Sequence, residues 1–232
     1  MKHFFPGILA AFLIGWLGQV LLPYNALSRI DPFVDADTNE IYPVNVAGIA
    51  NQGRDVYIAS GCISCHTQQV RADYMGGDLE RQWGARRTVA RDYMYEAPVL
   101  LGTLRVGPDL ASVGARDLAG TGEADLSTMV AQEKLARWHY IHLYNPRILS
   151  PDSNMPAYKW LFEEREIKGQ PSVNALNLPP AFAPKPGYEI VPKPDAEKLV
   201  GYLLSLNKNH SLPEAKAAAP AASPQAGGAA AK

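Results

Sequence analysis

Two cysteines and a histidine lie close together in the first third of the chain. Cys62 and Cys65 are three positions apart, His66 follows directly, and the 232 residues contain no other cysteine. Two thiols at this spacing can each add to a vinyl group of one haem, and the adjacent imidazole can then bind its iron. The motif therefore predicts one covalently attached c-type haem. A redox dithiol and half of a zinc site use the same cysteine spacing and are the alternatives.

Neither alternative finds support elsewhere in the sequence. A zinc site needs further Cys or His ligands at motif spacing, and only His139 and His142 are candidates. A thioredoxin-like dithiol is expected beside a βαβ pattern, which the sequence lacks. Covalent haem attachment is therefore the preferred interpretation of the cysteine pair.

A closed haem iron needs a sixth ligand in addition to the proximal His66. Met155 is our candidate, because it lies in a polar loop and precedes Pro156, which fixes the backbone direction. A thioether ligand raises the reduction potential and closes the iron to substrate. His139 and His142 are the competitors. They lie three positions apart on one face of a predicted helix, where they can equally be packing residues.

The proximal His66 also needs an acceptor for its second ring nitrogen, because that hydrogen bond sets the tautomer and the orientation of the ring. Gly107 and Pro108 offer a rigid loop carbonyl, although this dipeptide alone is only a turn signal. Several arginines are plausible partners of haem propionates, since a guanidinium can bind a carboxylate through two hydrogen bonds. An ordinary surface position is the competing interpretation for each. These arginines are Arg71, Arg105, Arg116 and Arg147.

Helices are expected to position these residues. Apolar side chains recur at helical intervals in three segments, and no convincing alternation of apolar and polar residues predicts a strand. The domain that holds the motif, residues 44–212, is therefore expected to be mainly α-helical. A proline-rich stretch, residues 171–194, is expected to form an extended loop on its surface. The predicted helices cover residues 46–60, 125–144 and 195–207.

The N-terminal segment is long and apolar enough to cross a membrane. From His3 to Ser28 the chain has no Asp, Glu, Lys or Arg, and a spanning helix needs about 20 such residues. Lys2 precedes the segment and several acidic residues follow it, which slightly favours a cytoplasmic N-terminus. We predict a retained anchor over residues 1–28 and a linker over residues 29–43. A cleaved signal peptide is the alternative, but its apolar region would exceed the usual length of about 7–15 residues.

Composition excludes a nucleic-acid binder that relies on a basic surface. The 22 Lys and Arg residues balance 23 Asp and Glu residues, for a formal net charge of −1. The last segment, residues 213–232, is rich in Ala and Pro and has no large apolar residue to bury, so we expect a disordered tail. A local basic cluster is interpreted as a solvated or interface surface. It consists of Arg81, Arg86, Arg87 and Arg91.

Further motifs give the chain a family resemblance. The run His-Leu-Tyr-Asn-Pro-Arg, followed by Met-Pro-x-Tyr, is far more specific than the haem motif alone. Together with the segments below, it closely resembles the membrane-anchored mono-haem cytochrome c subunit of cbb3-type cytochrome c oxidases, over roughly residues 50–161 and the anchor. The matching segments are Gly53–Tyr57, Gly61–Cys62, Cys65–Gln68, Arg71, Arg105–Leu110, Gly114, Arg116, Trp138–His139, His142–Arg147, Pro151, Ser153, Met155–Pro156, Tyr158 and Trp160–Leu161.

The resemblance implies a fold, a ligand set and partners. It implies a class I cytochrome c domain on a single N-terminal transmembrane helix in the bacterial inner membrane, with the haem domain on the periplasmic side. His66 and Met155 would be the axial ligands of the iron, and Pro108 would support His66. The implied partners are a haem–copper catalytic subunit and, as electron donor, a di-haem cytochrome c subunit or a soluble cytochrome c.

A membrane anchor, a haem and an iron with both axial positions occupied together predict an electron relay with no catalytic residue of its own. A haem with two permanent ligands exchanges one electron without bond making, so the chain would pass electrons from the cytochrome c donor to the oxygen-reducing core. The cytochrome c subunit of a nitric oxide reductase is one rival, although the run from His142 to Arg147 argues against it. A membrane-anchored haem sensor with an exchangeable sixth ligand is the rival from a different class.

Overall fold

The structure is a computed structural model that describes residues 3–118, 120 and 126–217. These residues form two compact units. The first contains the residues up to 44 together with residues 89–97, and the second contains residues 45–88 and those from 98 onward. In the described part of the chain, four α-helices account for most of the regular structure, which confirms the mainly helical character.

The first unit begins with helix α1, Phe4–Leu27, which includes a π-helical segment at Leu17–Leu21. None of its residues is buried. A helix that exposes Phe, Leu and Ile side chains around its circumference suits a lipid environment. Within the described residues, α1 is the one helix long and apolar enough to cross a membrane. A signal sequence passes the same test of length and composition.

A short hairpin follows in the segment that we assigned to a linker. Strand β1, Phe33–Val34, pairs in antiparallel fashion with strand β2, Ile41–Tyr42. The hydroxyl of Tyr42 donates to Asp92 Oδ1 at 2.7 Å, and the backbone amide of Val89 donates to Asp92 Oδ2 at 2.7 Å. Asp92 therefore joins residues 89–97 to the hairpin within the first unit.

Three α-helices lie in the second unit. Helix α2, Gly48–Ala59, packs closely against helix α4, Pro194–Ser205, and α4 also contacts helix α3, Met129–Tyr144. The predicted positions of α2 and α4 are confirmed to within a few residues. Helix α3 begins later than predicted, because Thr128 caps it by accepting a hydrogen bond from the amide of Ala131 at 3.3 Å. Asp125, the predicted start, lies outside the described residues.

The expectation of a loop throughout the proline-rich stretch is wrong. Strand β3, Phe162–Glu166, pairs in antiparallel fashion with strand β4, Tyr188–Pro192, so the loop proper is residues 167–187. Strand β3 exposes charged side chains on both faces, whereas β4 buries four consecutive residues. Neither strand shows alternation because neither has one buried and one exposed face.

The start of the predicted tail is packed against the domain. Leu212 pairs with Ala215 through backbone hydrogen bonds and both are buried. Arg87 Nη2 donates to the carbonyl oxygen of Glu214 at 2.9 Å. Arg86, assigned above to a solvated or interface surface, is instead buried within the domain, being 2% exposed, and donates to the carbonyl oxygen of His210 at 2.5 Å. Residues 218–232 lie outside the described residues.

Helices α2 and α4 meet at Gly53. A Cβ atom at this position would lie 1.8 Å from the carbonyl oxygen of Lys198 and 2.8 Å from Cβ of Tyr202. Such distances are far below van der Waals contact, so any side chain here would push the helices apart. Elsewhere in this interface, a Cβ at Gly201 would lie 3.5 Å from Cγ2 of Ile49, which is ordinary contact.

The close approach gives a testable difference between these two glycines. Gly53→Ala should lower the free energy of unfolding by about 1–3 kcal/mol or more, because α2 and α4 must separate. Gly201→Ala is the matched control, and it should be neutral or stabilise by up to about 1 kcal/mol through its helix propensity. Urea unfolding followed by circular dichroism measures both. Equal effects of the two substitutions would contradict the packing at Gly53.

Candidate functional site

A cavity of about 650 Å³ lies in the second unit. Its wall brings together Cys62, Cys65, His66, Pro108 and Met155, which the sequence places in three separate segments. Helices α2, α3 and α4 and the segments 106–118 and 150–158 supply the rest of the wall, most of which is apolar. The fold therefore assembles the cysteine motif, its predicted carbonyl partner and the candidate thioether around one space.

The cysteine motif follows helix α2 directly. Residues Cys62–Ser64 form a single turn of 3-10 helix, and the amide of His66 donates to the carbonyl oxygen of Cys62 at 3.0 Å. Cys62 is buried, Cys65 is exposed, and neither forms a disulfide. Burial raises the pKa of the Cys62 thiol to about 11, and Tyr158, which also lines the cavity, partly opposes this shift. Both sulfurs are thus available for attachment of a group.

The imidazole of His66 is held in one orientation. Its Nδ1 lies 2.7 Å from the carbonyl oxygen of Pro108, so Nδ1–H donates and Nε2 keeps its lone pair. Burial lowers the pKa of His66, against the opposing effect of this hydrogen bond. A neutral ring with a free Nε2 is the form that binds a metal. The geometry thus provides an imidazole prepared for ligation.

Gly107 has no side chain, and this leaves room for the imidazole of His66. A Cβ at residue 107 would lie 2.3 Å from Cε1 of His66, so a larger residue would displace the imidazole. The amide of Gly107 also donates to the carbonyl oxygen of Cys65 at 2.9 Å. The glycine therefore allows the loop before Pro108 to lie directly against the motif.

Asp109 fixes the loop that carries Pro108. Its carboxylate is completely buried and accepts three hydrogen bonds. Oδ2 accepts from the hydroxyl of Thr67 and the amide of Gln69, both at 2.6 Å, and Oδ1 accepts from the amide of Ala111 at 2.8 Å. One carboxylate thus joins the segment after the proximal histidine to the segment after the proline.

Sequence analysis did not single out Asp109 as a functional residue. It belongs to the Arg105–Leu110 match, and its place beside Pro108 was the one signal that pointed to it. A buried Asp is recognised only once its partners are known, because most Asp residues in globular proteins are exposed. The tertiary structure supplies those partners from about forty residues away in the sequence.

The structure separates the arginines that we predicted as propionate partners. Arg71 Nη2 lies 2.9 Å from Asp78 Oδ1 and Arg105 Nη1 lies 2.7 Å from Asp78 Oδ2, and neither arginine lines the cavity. Arg147 donates to the carbonyl oxygen of Met155 at 3.4 Å. Of the predicted arginines, all of which the structure describes, only Arg116 lines the cavity.

Asp78 anchors the first two of these arginines. Burial by itself raises the pKa of its carboxyl group, but the hydrogen bonds from Arg71 and Arg105 outweigh burial and hold the pKa below its usual range. The carboxylate also accepts from the amide of Arg71 at 2.8 Å. This ion-pair cluster therefore supports the segment that follows the motif.

All three candidates for the sixth ligand line the same cavity. Met155 is half-buried, and its amide donates to Ser153 Oγ at 3.2 Å. His139 Nε2 and His142 Nδ1 are shielded from water without a hydrogen-bond partner in the described chain. The ring of His142 stacks on that of Trp138, with 4.7 Å between the ring centroids. Burial lowers the pKa of His139 to about 3 and that of His142 to about 4, so both rings are neutral near pH 7.

This donor set fits a covalently attached haem. It contains two free thiols at the attachment spacing, an imidazole with a free Nε2, a thioether and an apolar wall. In residues 3–118, 120 and 126–217, no three His, Cys, Asp or Glu side chains are grouped so as to hold a metal ion by themselves. The described residues therefore do not build the zinc site considered above.

Comparison with known families identifies this arrangement. The family model for the cytochrome c oxidase mono-haem subunit, FixO, matches residues 26–177, which is more than half of the chain. The chain belongs to this family. The resemblance to the mono-haem subunit of cbb3-type oxidases is therefore confirmed, and membership implies one haem and an oxidase complex in the membrane. A search of curated proteins found no match.

The role of Asp109 in this mono-haem subunit leads to a stability prediction. Asp109→Asn should lower the free energy of unfolding by about 1–3 kcal/mol. The side-chain NH2 group of asparagine is a donor, and it would face N–H or O–H groups that are themselves donors. The control is Asp195→Asn, since Asp195 is exposed and its side chain bonds, among the described residues, only that of Lys198, so its effect should stay within about 0.5 kcal/mol. Urea unfolding of the full chain in detergent tests both. A loss no larger than that of the control would show that Asp109 does not hold the loop.

Proposed function

We propose that this chain is the electron-relay subunit of a cbb3-type haem–copper oxidase. The observation that carries the proposal is the meeting of Cys62, Cys65, His66 and Met155 at one apolar cavity in a member of the mono-haem family. A haem bound there would supply reversible one-electron chemistry at its iron. The residues of the chain would hold that group and tune its potential, without acting as acids, bases or nucleophiles.

Each residue of the cavity then has a separate task. Cys62 and Cys65 would tether the haem through thioether bonds, and His66 would bind the iron through Nε2 while Pro108 holds Nδ1. Met155 would bind as the second axial ligand. Two ligands that stay in place keep reorganisation small when one electron enters or leaves, which suits relay over catalysis.

The apolar wall supports the same role. A dry, low-dielectric wall disfavours the additional positive charge of ferric iron and so raises the reduction potential, as a thioether ligand does. It also keeps water away from the sixth position. The apolar lining residues include Leu110, Val113, Leu143, Leu199 and Leu203.

Location and partners follow from the anchor and the family. Helix α1 would hold the chain in the bacterial inner membrane as a single span, with the haem domain on the periplasmic side. Electrons would come from a di-haem cytochrome c subunit or a soluble cytochrome c and leave to the haem–copper catalytic subunit. The family description as an oxidase subunit and the exposed apolar surface of α1 support this assignment.

The identity of the sixth ligand is open to a direct test. Met155→Ala should remove the low-spin spectrum of the reduced chain and allow its haem iron to bind carbon monoxide. It should also lower the midpoint potential by more than about 59 mV, or tenfold in the equilibrium constant for reduction. The control is Met129→Ala, because Met129 is 89% exposed on α3. A low-spin spectrum that survives Met155→Ala but is lost in His142→Ala would give the ligand role to His142.

Attachment and assembly test the relay itself. The wild-type chain should carry haem that survives denaturation and stains on a gel, whereas replacement of both Cys62 and Cys65 by Ala should abolish the stain. The chain should also co-purify with a core subunit that contains copper. A colourless wild-type chain, or co-purification with an iron-only core such as that of a nitric oxide reductase, would overturn the proposal.

A further inference from the structure

We infer that Arg116 and His139 together form the binding site for a carboxylate of the haem, one of its propionates. The inference rests on the proposed function, because it concerns a haem in the same cavity. It goes further by assigning the carboxylate to a particular part of the cavity wall and by excluding Arg71 and Arg105 from that role.

Arg116 is a mostly buried cation that forms no ion pair with a described residue. Its Nη2 donates to the backbone carbonyl of Asp109, and its Nε is shielded from water with no hydrogen-bond partner in the described chain. The carboxylate of Asp109 attracts Arg116 electrostatically, but it accepts from Thr67, Gln69 and Ala111, lies 3.9 Å from Nη2 of Arg105, and forms no ion pair with Arg116. A buried charge with no partner costs several kcal/mol, so this guanidinium calls for an anion.

His139 lines the same cavity as Arg116 and also has an unpaired buried nitrogen. It is 4% exposed, lines the cavity from α3, and interacts electrostatically with Arg116. Nε2 of His139 is shielded from water and has no hydrogen-bond partner among the described residues. A buried donor left unpaired costs about 1–3 kcal/mol. A neutral imidazole offers one N–H, so the two residues together present donors to a single acceptor group.

The chemistry of the cavity indicates which anion binds there. An ionised carboxylate has only acceptors, which suits a guanidinium and an imidazole N–H. Most of the remaining wall is apolar, although residues 150 and 152–154 add polar groups, and it suits the body of a large aromatic ring, whereas a small inorganic anion would gain little from it. A haem combines an apolar ring with carboxylates, so the group already proposed for this cavity supplies the missing anion.

The other predicted arginines have their donors occupied. Arg71 and Arg105 share the buried carboxylate of Asp78, and Arg105 also donates to the carbonyl oxygen of Gln69. Breaking a buried ion pair to release either arginine is costly. Arg116 needs no such rearrangement, because its side chain lines the cavity and its Nε is unbonded.

The test uses the full haem-bearing chain in detergent and the resonance Raman spectrum. The bending mode of the haem propionates responds to hydrogen bonding at their oxygens, so Arg116→Gln and His139→Leu should both shift it. Arg116→Gln should also reduce the equilibrium constant for haem reduction about tenfold, or 59 mV, because a cation near the iron favours the ferrous state. Arg116→Lys and His139→Gln keep a hydrogen-bond donor, so they should shift the propionate mode less. They provide the test if Arg116→Gln or His139→Leu fails to fold.

The matched control is Arg137→Gln. Arg137 lies on the same helix as His139, is exposed, and pairs with Glu133 at 2.8 Å. This substitution removes the same charge and should change neither the propionate mode nor the potential.

The possible outcomes separate this inference from the proposed function. A wild-type chain without covalent haem overturns both. A chain that carries haem, but whose propionate mode is unchanged by the variants at residues 116 and 139, overturns this inference alone. A shift of that mode in Arg71→Gln or Arg105→Gln instead would show that the propionates bind the arginines paired with Asp78. That result would also overturn this inference.

Discussion

The hydrogen bond between His66 Nδ1 and the carbonyl oxygen of Pro108 is the constraint on which the site depends. It makes Nδ1 the donor and leaves the lone pair on Nε2, and a ring that turned over would exchange the positions of these two nitrogens. The surroundings serve this contact. Gly107 leaves room for the ring, and the buried carboxylate of Asp109 ties the segments on either side.

The cost of burying charge explains how the basic and acidic residues of the second unit are arranged. Asp78 is paired with two arginines, and Asp109 accepts from an amide, a hydroxyl and a further amide and lies 3.9 Å from Nη2 of Arg105. Arg116 departs from this pattern, since no described carboxylate pairs with it although it lines the cavity. An apolar cavity beside an uncompensated cation suits a ligand with an apolar body and an anionic end.

Local sequence patterns predicted the helices better than the strands. Helices α2 and α4 have one apolar face each, so their 3.6-residue period is visible in the sequence. Strand β4 is buried on both faces and β3 is exposed on both, so the two-residue period of a half-buried strand is absent from each. Their pairing brings together residues separated by a long loop, and such a contact leaves no local signal.

The sequence by itself determined the features that depend on short spacings and composition: the motif of Cys62, Cys65 and His66, the charge-free N-terminal helix and the family to which the chain belongs. Only the tertiary structure decided that Asp109 clamps the proximal loop and that Arg116, but not Arg71 or Arg105, lines the cavity. The physical reason is that a guanidinium or a buried carboxylate takes its role from its partner. These partners come from other segments of the chain, which only folding brings into contact.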